Sequence, residues 1–252
     1  MALAPVLMAS ATMPVIGRMI DEGYDFELID AHYFYPDGVA AAMLGKYFNK
    51  PVVITARGSD ITLFPAFQLP RRMISWAAQR ASAVITVCNA LKDEMVSNLG
   101  VDENRVTALR NGVDLQLFQP RPRDAAAGGE FKLLTVGHLV PVKAQELIVR
   151  SMPLIHNAHL TIAGDGPDRQ MLEQLVARLG LGERVSFLGA VPQLDLARHY
   201  ASADALILAS SREGWANVLL EAMACGTPVV ASRVWGTPEV VAAPEAGVLM
   251  SE

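Results

Sequence analysis

The sequence is poor in the features that mark several classes of protein. It has only two cysteines, Cys88 and Cys225, which lie too far apart for a metal or redox motif. None of its five histidines has another histidine four residues away, so no metal site is expected. The net charge is -5 and no basic run occurs, which argues against a nucleic-acid partner. No apolar run is long enough to cross a bilayer, and we expect a reducing, cytoplasmic location.

Apolar segments with two different periodicities alternate along the chain. Hydrophobic residues make up 52% of the 252 residues, enough for a sizeable core. The predicted strands are 26–33, 51–55, 83–88, 105–109, 131–136, 160–163, 185–188, 205–209, 229–231 and 246–249. The predicted helices are 14–22, 39–48, 69–81, 89–99, 144–152, 168–179, 194–201 and 217–224. Strands that alternate with helices predict an α/β fold with parallel sheets.

One segment rich in proline and glycine, 119–129, interrupts this alternation. We place the domain boundary there, between domains 1–122 and 129–252. Two α/β domains joined by a linker predict a cleft that holds a ligand. The apolar N-terminus, 1–9, lacks a basic flank and contains Pro5, so a packed helix is favoured over a signal peptide. Pro14 separates it from the helix predicted at 14–22.

The segment after the apolar strand 205–209 carries the clearest chemistry. Residues 210–216 form a polar turn, and Asn217 is expected to cap the helix that Gly226 ends. A helix N-terminus at the carboxyl end of a parallel strand favours a phosphate. Glu213 and Glu221 flank this anion site and are suited to accept hydrogen bonds from sugar hydroxyls. Lys143, just beyond the strand 131–136, can reach a phosphate as a point charge.

Residues 213–232, with Glu213 and Glu221 spaced as Glu-x7-Glu, resemble the signature of the family 4 retaining glycosyltransferases. The resemblance implies the GT-B fold, two Rossmann-like domains facing a cleft, with Glu213 at the donor sugar and Glu221 on the ribose. Lys143 matches the lysine of the family's Gly-Arg-x4-Lys-Gly segment, in which Arg and Lys neutralise the diphosphate. In this sequence His138 occupies the position of the Arg, and Ala144 that of the second Gly. The remaining expected donor-binding residues are Gly164, Gly214, Trp215, Ala216, Asn217 and Val218.

The first half resembles the acceptor-side domain of the same family. His32 matches a family histidine near the donor sugar, and 57–60 stands where many members have His-Gly-x-Asp. Arg57, Gly58 and Asp60 are therefore expected on the acceptor side, with Arg57 departing from the pattern. Asn111 and Asp114 are favoured as turn formers. Relative to the family, the first domain is expected to be incomplete and the C-terminal crossing helix absent.

The resemblance implies transfer of a sugar from a nucleoside diphosphate sugar to a saccharide or lipid-linked acceptor, with retention and without a metal or other cofactor. Glu213, Lys143 and His32 are the expected catalytic residues. Surface-polysaccharide assembly is suggested by similar members, with a possible peripheral contact at the inner face of the cell membrane. Two alternatives stay open: a nucleotide-binding fragment without catalysis, and a nucleotide-sugar 2-epimerase.

Overall fold

A computed structural model describes residues 3–122 and 129–250. Its contacts divide the chain into two compact units, Met1–Arg110 and Asn111–Glu252. Each unit contains a parallel sheet flanked by helices, which confirms the predicted α/β class with two Rossmann-like units. The ends of the chain, 1–2 and 251–252, and part of the predicted linker, 123–128, lie outside the described residues.

The first unit is built on four parallel strands. They are β1 (Ile29–His32), β2 (Val52–Ala56), β3 (Ala83–Thr86) and β4 (Val106–Ala108), in the order β1-β2-β3-β4. The helices are α1 (Ala4–Asp21), α2 (Val39–Phe48), α3 (Ser59–Thr62), α4 (Gln68–Arg80) and α5 (Asn89–Leu99). Short helical turns occupy Phe34–Gly38, Phe64–Ala66 and Glu103–Arg105. Helix α2 lies so close to β2 that a Cβ atom at position 45 would overlap Val52, and Gly45 permits this approach because it has none.

The second unit is built on six parallel strands. They are β5 (Phe131–Val136), β6 (Ala158–Ala163), β7 (Val185–Gly189), β8 (Ala205–Leu208), β9 (Val229–Ser232) and β10 (Gly247–Met250). The helices are α6 (Gln145–Ser151), α7 (Arg169–Arg178), α8 (Gln193–Ser202), α9 (Asn217–Ala224) and α10 (Thr237–Val240). Single 3-10 turns occupy Pro141–Lys143 and Met152–Leu154. The strand order is β10-β9-β8-β5-β6-β7, and separate apolar clusters cover the two faces of the sheet.

The N-terminal helix differs from its prediction. We expected a helix over 1–9 and another from Pro14, but α1 runs through Pro14 without a break. Ala9, Met13 and Ile16 pack against α2, and this packing offsets the backbone hydrogen bond that proline removes. The opposite side of α1 is not packed, because Leu7, Met8 and Val15 are exposed.

Two helix caps and the domain boundary are also corrected. Asn89 and Asn217 were predicted as N-caps, but each is the first helical residue, preceded by Cys88 and Ala216. The contacts place 111–122 in the second unit, whereas the boundary was predicted after 122. Phe118 explains this shift, since it is 1% exposed and belongs to the core of the second unit.

Candidate functional site

The strand order of the second unit changes direction between β5 and β8. From β5 the chain proceeds to β6 and β7 on one side, and from β8 it proceeds to β9 and β10 on the other. In an open parallel sheet the connections on the two sides of such a point diverge, which leaves a crevice at the carboxyl ends of the strands. The loops that follow β5 and β8 therefore meet at the switch point. These loops carry Lys143 and Glu213.

Lys143 and Glu213 form an ion pair at this crevice. The distance from Lys143 Nζ to Glu213 Oε1 is 2.6 Å. The Glu213 side chain is 9% exposed and that of Lys143 is 26% exposed, so the pair lies at the boundary of the interior. Ser211 fixes the two loops further, since its backbone N–H and its hydroxyl both donate to the Val142 carbonyl. The structure thus brings together two residues that the sequence separates by seventy positions.

The loop after β5 also packs tightly against the loop after β6. A Cβ atom at Gly164 would overlap the Gly137 carbonyl, so only glycine fits there, and its φ of 145° is likewise one that glycine adopts. The Lys143 side chain passes close to Gly137. His138 Nδ1 lies 2.5 Å from the Asp165 carbonyl oxygen. Because a carbonyl only accepts, Nδ1 carries a proton, and Nε2 can donate to an anion only in the imidazolium form.

An open groove of about 420 Å³ lies beside these loops. Its walls come from the carboxyl ends of β5, β6 and β7, and its lining residues include Gly137, His138, Gly164, Ala190 and Val191. Most of this lining is backbone and small side chains. Such a surface suits a flat ligand that is recognised through backbone groups.

The residues between β8 and α9 lie where the sequence predicted them. Ala216 is buried, Trp215 packs against the core of the second unit, and Gly214 is half-buried in the loop. Asn217 and Val218 begin α9, and the first amides of a helix have no partner within the helix. Asn217 accepts a hydrogen bond from Asn111 Nδ2 at 3.2 Å. The sequence predicts Asn111 only as a turn former and gives no signal for this contact.

Glu221 is held by two residues that the sequence interpretation missed. Its Oε2 accepts a hydrogen bond of 2.7 Å from the Tyr200 hydroxyl, and its Oε1 lies 3.4 Å from Gln193 Nε2. Tyr200 is fully buried and packs edge-on against Phe118, with ring centroids 5.9 Å apart. Burial, and then the Glu221 carboxylate, raise the pKa of Tyr200, so its hydroxyl stays a donor. The spacing of these residues in the sequence does not predict the contact, because Tyr200 on α8 and Glu221 on α9 are brought together only by the packing of the two helices.

The first unit brings His32 and Arg57 together at the carboxyl ends of β1 and β2. The Arg57 Nε and Nη2 atoms lie 3.3 Å and 3.0 Å from His32 Nδ1. Arginine only donates, so Nδ1 is an acceptor and Nε2 carries the proton. His32 Nε2 in turn lies 3.4 Å from Asp30 Oδ2. The imidazole therefore presents an N–H on its Nε2 side.

Asp60 follows β2 as predicted, but its side chain is enclosed by the protein instead of being open to an acceptor. It is fully buried, and its carboxylate accepts hydrogen bonds from the backbone N–H groups of Phe34, Arg57 and Gly58. Burial raises the pKa of the Asp60 carboxyl, and these three N–H groups oppose the rise. Direct contact with an acceptor is not expected from such a side chain. Asp60 instead ties the loop after β2 to the turn after β1, which fixes Arg57 and Gly58 beside His32.

Comparison with known proteins accounts for both units. The family model described as "Glycosyl transferases group 1" matches residues 119–252, more than half of the chain. The chain belongs to this glycosyltransferase family. A second family model, "Glycosyltransferase Family 4", matches residues 4–117. The resemblance inferred from 213–232 is thereby confirmed at the level of the family.

Individual relatives support the same assignment. The glycosyltransferase chain is 30% identical over 268 residues to D-inositol 3-phosphate glycosyltransferase from Mycolicibacterium smegmatis, covering 98% of this chain and 59% of that protein. Sucrose-phosphate synthase from Thermosynechococcus elongatus has a similar structure, with a TM-score of 0.79, 26% identity and coverage of 96% and 65%. Anabaena Alr3699/HepE, solved with UDP, aligns with a TM-score of 0.80 at 23% identity, covering 94% of this chain and 68% of that one.

The chain is shorter than these relatives. It spans 59% of the length of the mycobacterial enzyme and 44% of an uncharacterised Methanocaldococcus jannaschii glycosyltransferase, MJ1607, to which it is 39% identical over 171 residues. Within residues 3–122 and 129–250, no helix combines the length and the apolar character needed to span a bilayer.

Proposed function

We propose that this glycosyltransferase chain binds a nucleoside diphosphate sugar in its second unit and transfers the sugar, with retention, to a hydroxyl of a saccharide or lipid-linked acceptor. The observation that carries the proposal is the Lys143–Glu213 pair at the switch point of the sheet. Glu213 lies in the loop that leads into α9, and Lys143 lies in the loop after β5, which also contributes Gly137 and His138 to the groove at the ends of β5 to β7. The solved complexes of HepE with UDP and with UDP-glucose support a donor of this class.

The reaction breaks the bond between the anomeric carbon and the diphosphate and forms a bond to the acceptor oxygen. Negative charge grows on the leaving phosphate as the first bond breaks, so its stabilisation lowers the barrier. Lys143 supplies a positive charge for this purpose, and the amides of Asn217 and Val218 supply donors at the helix N-terminus. His138 adds a donor at Nε2 when it is protonated. No metal and no protein nucleophile is part of this proposal.

The two glutamates have separate tasks in the proposed complex. Glu213 exchanges its contact with Lys143 for hydroxyls of the donor sugar when the diphosphate takes Lys143 as its partner. Glu221 accepts from the ribose through the oxygen lone pairs that Tyr200 and Gln193 leave open. In the first unit, the Nε2–H of His32 is a donor for a sugar hydroxyl, and Arg57 keeps the imidazole in that form. Surface-polysaccharide assembly stays a prediction about the pathway.

Calorimetric titration with UDP, GDP and ADP tests the donor site. We expect one of the three nucleotides to bind, and Glu221→Ala to weaken its binding roughly 10-fold or more, because each hydrogen bond to a charged group contributes about 1.5–3 kcal/mol. Glu183→Ala is the matched control, since Glu183 is exposed on the surface of the same unit. Equal binding by the Glu221→Ala and Glu183→Ala variants would contradict the assigned role of Glu221.

Turnover of the matching nucleotide sugar tests the chemistry. We expect Lys143→Ala to abolish transfer and donor hydrolysis, and Lys143→Arg to retain part of both, since the positive charge is kept. Turnover at the parent rate in Lys143→Ala would refute the leaving-group role. Nucleotide binding by the wild-type chain without any turnover would support the alternative of a binding fragment. Formation of an epimer from donor alone would support the epimerase.

A further inference from the structure

The segment 111–120, which opens the second unit, lies along helix α9 from the start of the helix to its end. Asn111 Nδ2 donates to Asn217 Oδ1 over 3.2 Å, at the first residue of α9. Just beyond the other end of the helix, a Cβ atom at Gly226 would lie 3.7 Å from the Pro120 ring, so these two positions are adjacent. Between these points, partly buried apolar side chains of the segment pack against the core that α9 helps to form.

The segment is held in a fixed shape by a closed turn and a buried ring. The Asp114 carboxylate accepts from the backbone N–H groups of Gln116 and Leu117, at 2.8 Å and 3.2 Å. The Asp114 carbonyl accepts from the N–H of Phe118 at 2.9 Å. The Phe118 ring is buried and packs edge-on against Tyr200. Because the turn and the ring both restrain the backbone, the first residue of the segment reaches α9 from a defined position.

The side chain of Asn217 has two competing kinds of partner at the start of α9. An asparagine in the first turn of a helix can bond to neighbouring backbone N–H groups, which have no acceptor within the helix. In the structure its Oδ1 accepts from Asn111 instead. The backbone N–H groups of Asn217 and Val218 are thereby freed from this competitor, at the end of the helix whose partial positive charge favours an anion.

We propose that Asn111 is a positioning residue for the diphosphate of the donor. By holding the Asn217 side chain, it keeps the first amides of α9 clear for the leaving phosphate, the group that Lys143 is proposed to neutralise. Asn111 acts through Asn217 and does not itself contact the reacting atoms. The inference rests on the proposed function and deepens it, because it adds to the donor site a residue that lies outside the loops after β5 and β8.

This contact concerns one part of the nucleotide only. The leaving phosphate is the second of the two, and a nucleoside monophosphate lacks it while keeping the base and the ribose. Loss of one neutral hydrogen bond weakens an interaction by about fivefold. Asn111→Ala should therefore weaken binding of a nucleoside diphosphate and spare the monophosphate, whereas a general loss of structure would weaken the binding of both.

Calorimetric titration compares the nucleotide that binds among UDP, GDP and ADP with its own monophosphate. We expect Asn111→Ala to bind the diphosphate about fivefold more weakly and the monophosphate as the wild type does. Asn111→Asp keeps the size of the side chain, removes the donor and adds a negative charge, so it should weaken diphosphate binding further. Gln116→Ala is the matched control, since it removes an exposed amide from the same segment and leaves the Asn217 contact in place.

A double-mutant cycle tests whether Asn111 acts through Asn217. If it does, Asn111→Ala causes no further loss of diphosphate binding in the Asn217→Ala background. Additive effects, equal weakening of diphosphate and monophosphate, or unchanged diphosphate binding by Asn111→Ala would overturn the inference and leave the proposed function standing. A wild-type chain that binds none of the three nucleotides refutes the proposed function, and the inference falls with it. Circular dichroism checks that every variant is folded.

Discussion

The hydrogen bond between Tyr200 and Glu221 makes a quantitative prediction for Tyr200→Phe. The substitution removes one hydroxyl from a fully buried ring and leaves Glu221 Oε2 without its 2.7 Å donor. A hydrogen bond to a charged group contributes about 1.5–3 kcal/mol, so we expect the free energy of unfolding to fall by about 2 kcal/mol. For a chain of this size that corresponds to a melting midpoint lower by about 4–8 °C.

The same substitution should change nucleotide recognition in a specific way. Without Tyr200 Oη the Glu221 carboxylate is held only by the longer contact to Gln193, so it loses the fixed orientation that the proposed ribose contact requires. We expect the wild type to prefer the ribonucleotide over its 2′,3′-dideoxy analogue, and Tyr200→Phe to reduce this preference about 10-fold. The phosphate contacts are unchanged, so affinity for the dideoxy analogue should stay close to that of the wild type.

Differential scanning calorimetry and isothermal titration measure the two effects on the same samples. Tyr24→Phe is the matched control, because the Tyr24 side chain is 65% exposed and its loss of a hydroxyl should change neither quantity. An unchanged midpoint together with an unchanged preference for the ribonucleotide would refute the positioning role of Tyr200. If the wild type itself shows no preference, the assignment of Glu221 to the ribose fails instead.

Three other predictions follow from individual contacts. Asp60→Ala should lower the free energy of unfolding by about 3 kcal/mol in urea titrations, because buried N–H groups lose their acceptor. Ala144→Gly should raise it by about 0.5–1 kcal/mol, since Ala144 has a φ of 49°, and a lower midpoint would contradict this. Cys88 and Cys225 are buried, and burial raises the pKa of the Cys225 thiol, so both should react with a thiol reagent only after denaturation.

Local patterns were sufficient for the architecture. Helix α2 and strand β5 begin and end at the residues predicted from periodicity, and most other predicted elements differ by one or two residues at one or both ends. These segments are governed by their own apolar spacing and by glycine, asparagine or proline at their ends. The N-terminal helix was wrong for a related reason, since the local effect of Pro14 was outweighed by packing against α2.

The candidate site could be predicted only in part from local sequence patterns. Glu213, Glu221 and Lys143 stand out because their types and spacing match a family signature, and the strand ends place them at one edge of the sheet. That Lys143 pairs with Glu213 depends on β5 and β8 being neighbours, which no local pattern encodes. Asp60 follows β2 as predicted, but its side chain is buried, so it is not expected to contact an acceptor directly.

The sequence by itself therefore determined the α/β class and the order of strands and helices along the chain, and it selected the candidate site residues, because each depends on neighbours within a few positions. Only the tertiary structure decided which of these residues meet. The hydrogen bond from Tyr200 to Glu221 and the contact of Arg57 with His32 each join elements that are distant in sequence. The same is true of the packing that assigns 111–122 to the second unit. Such contacts follow from strand order and side-chain burial, which are properties of the folded chain as a whole.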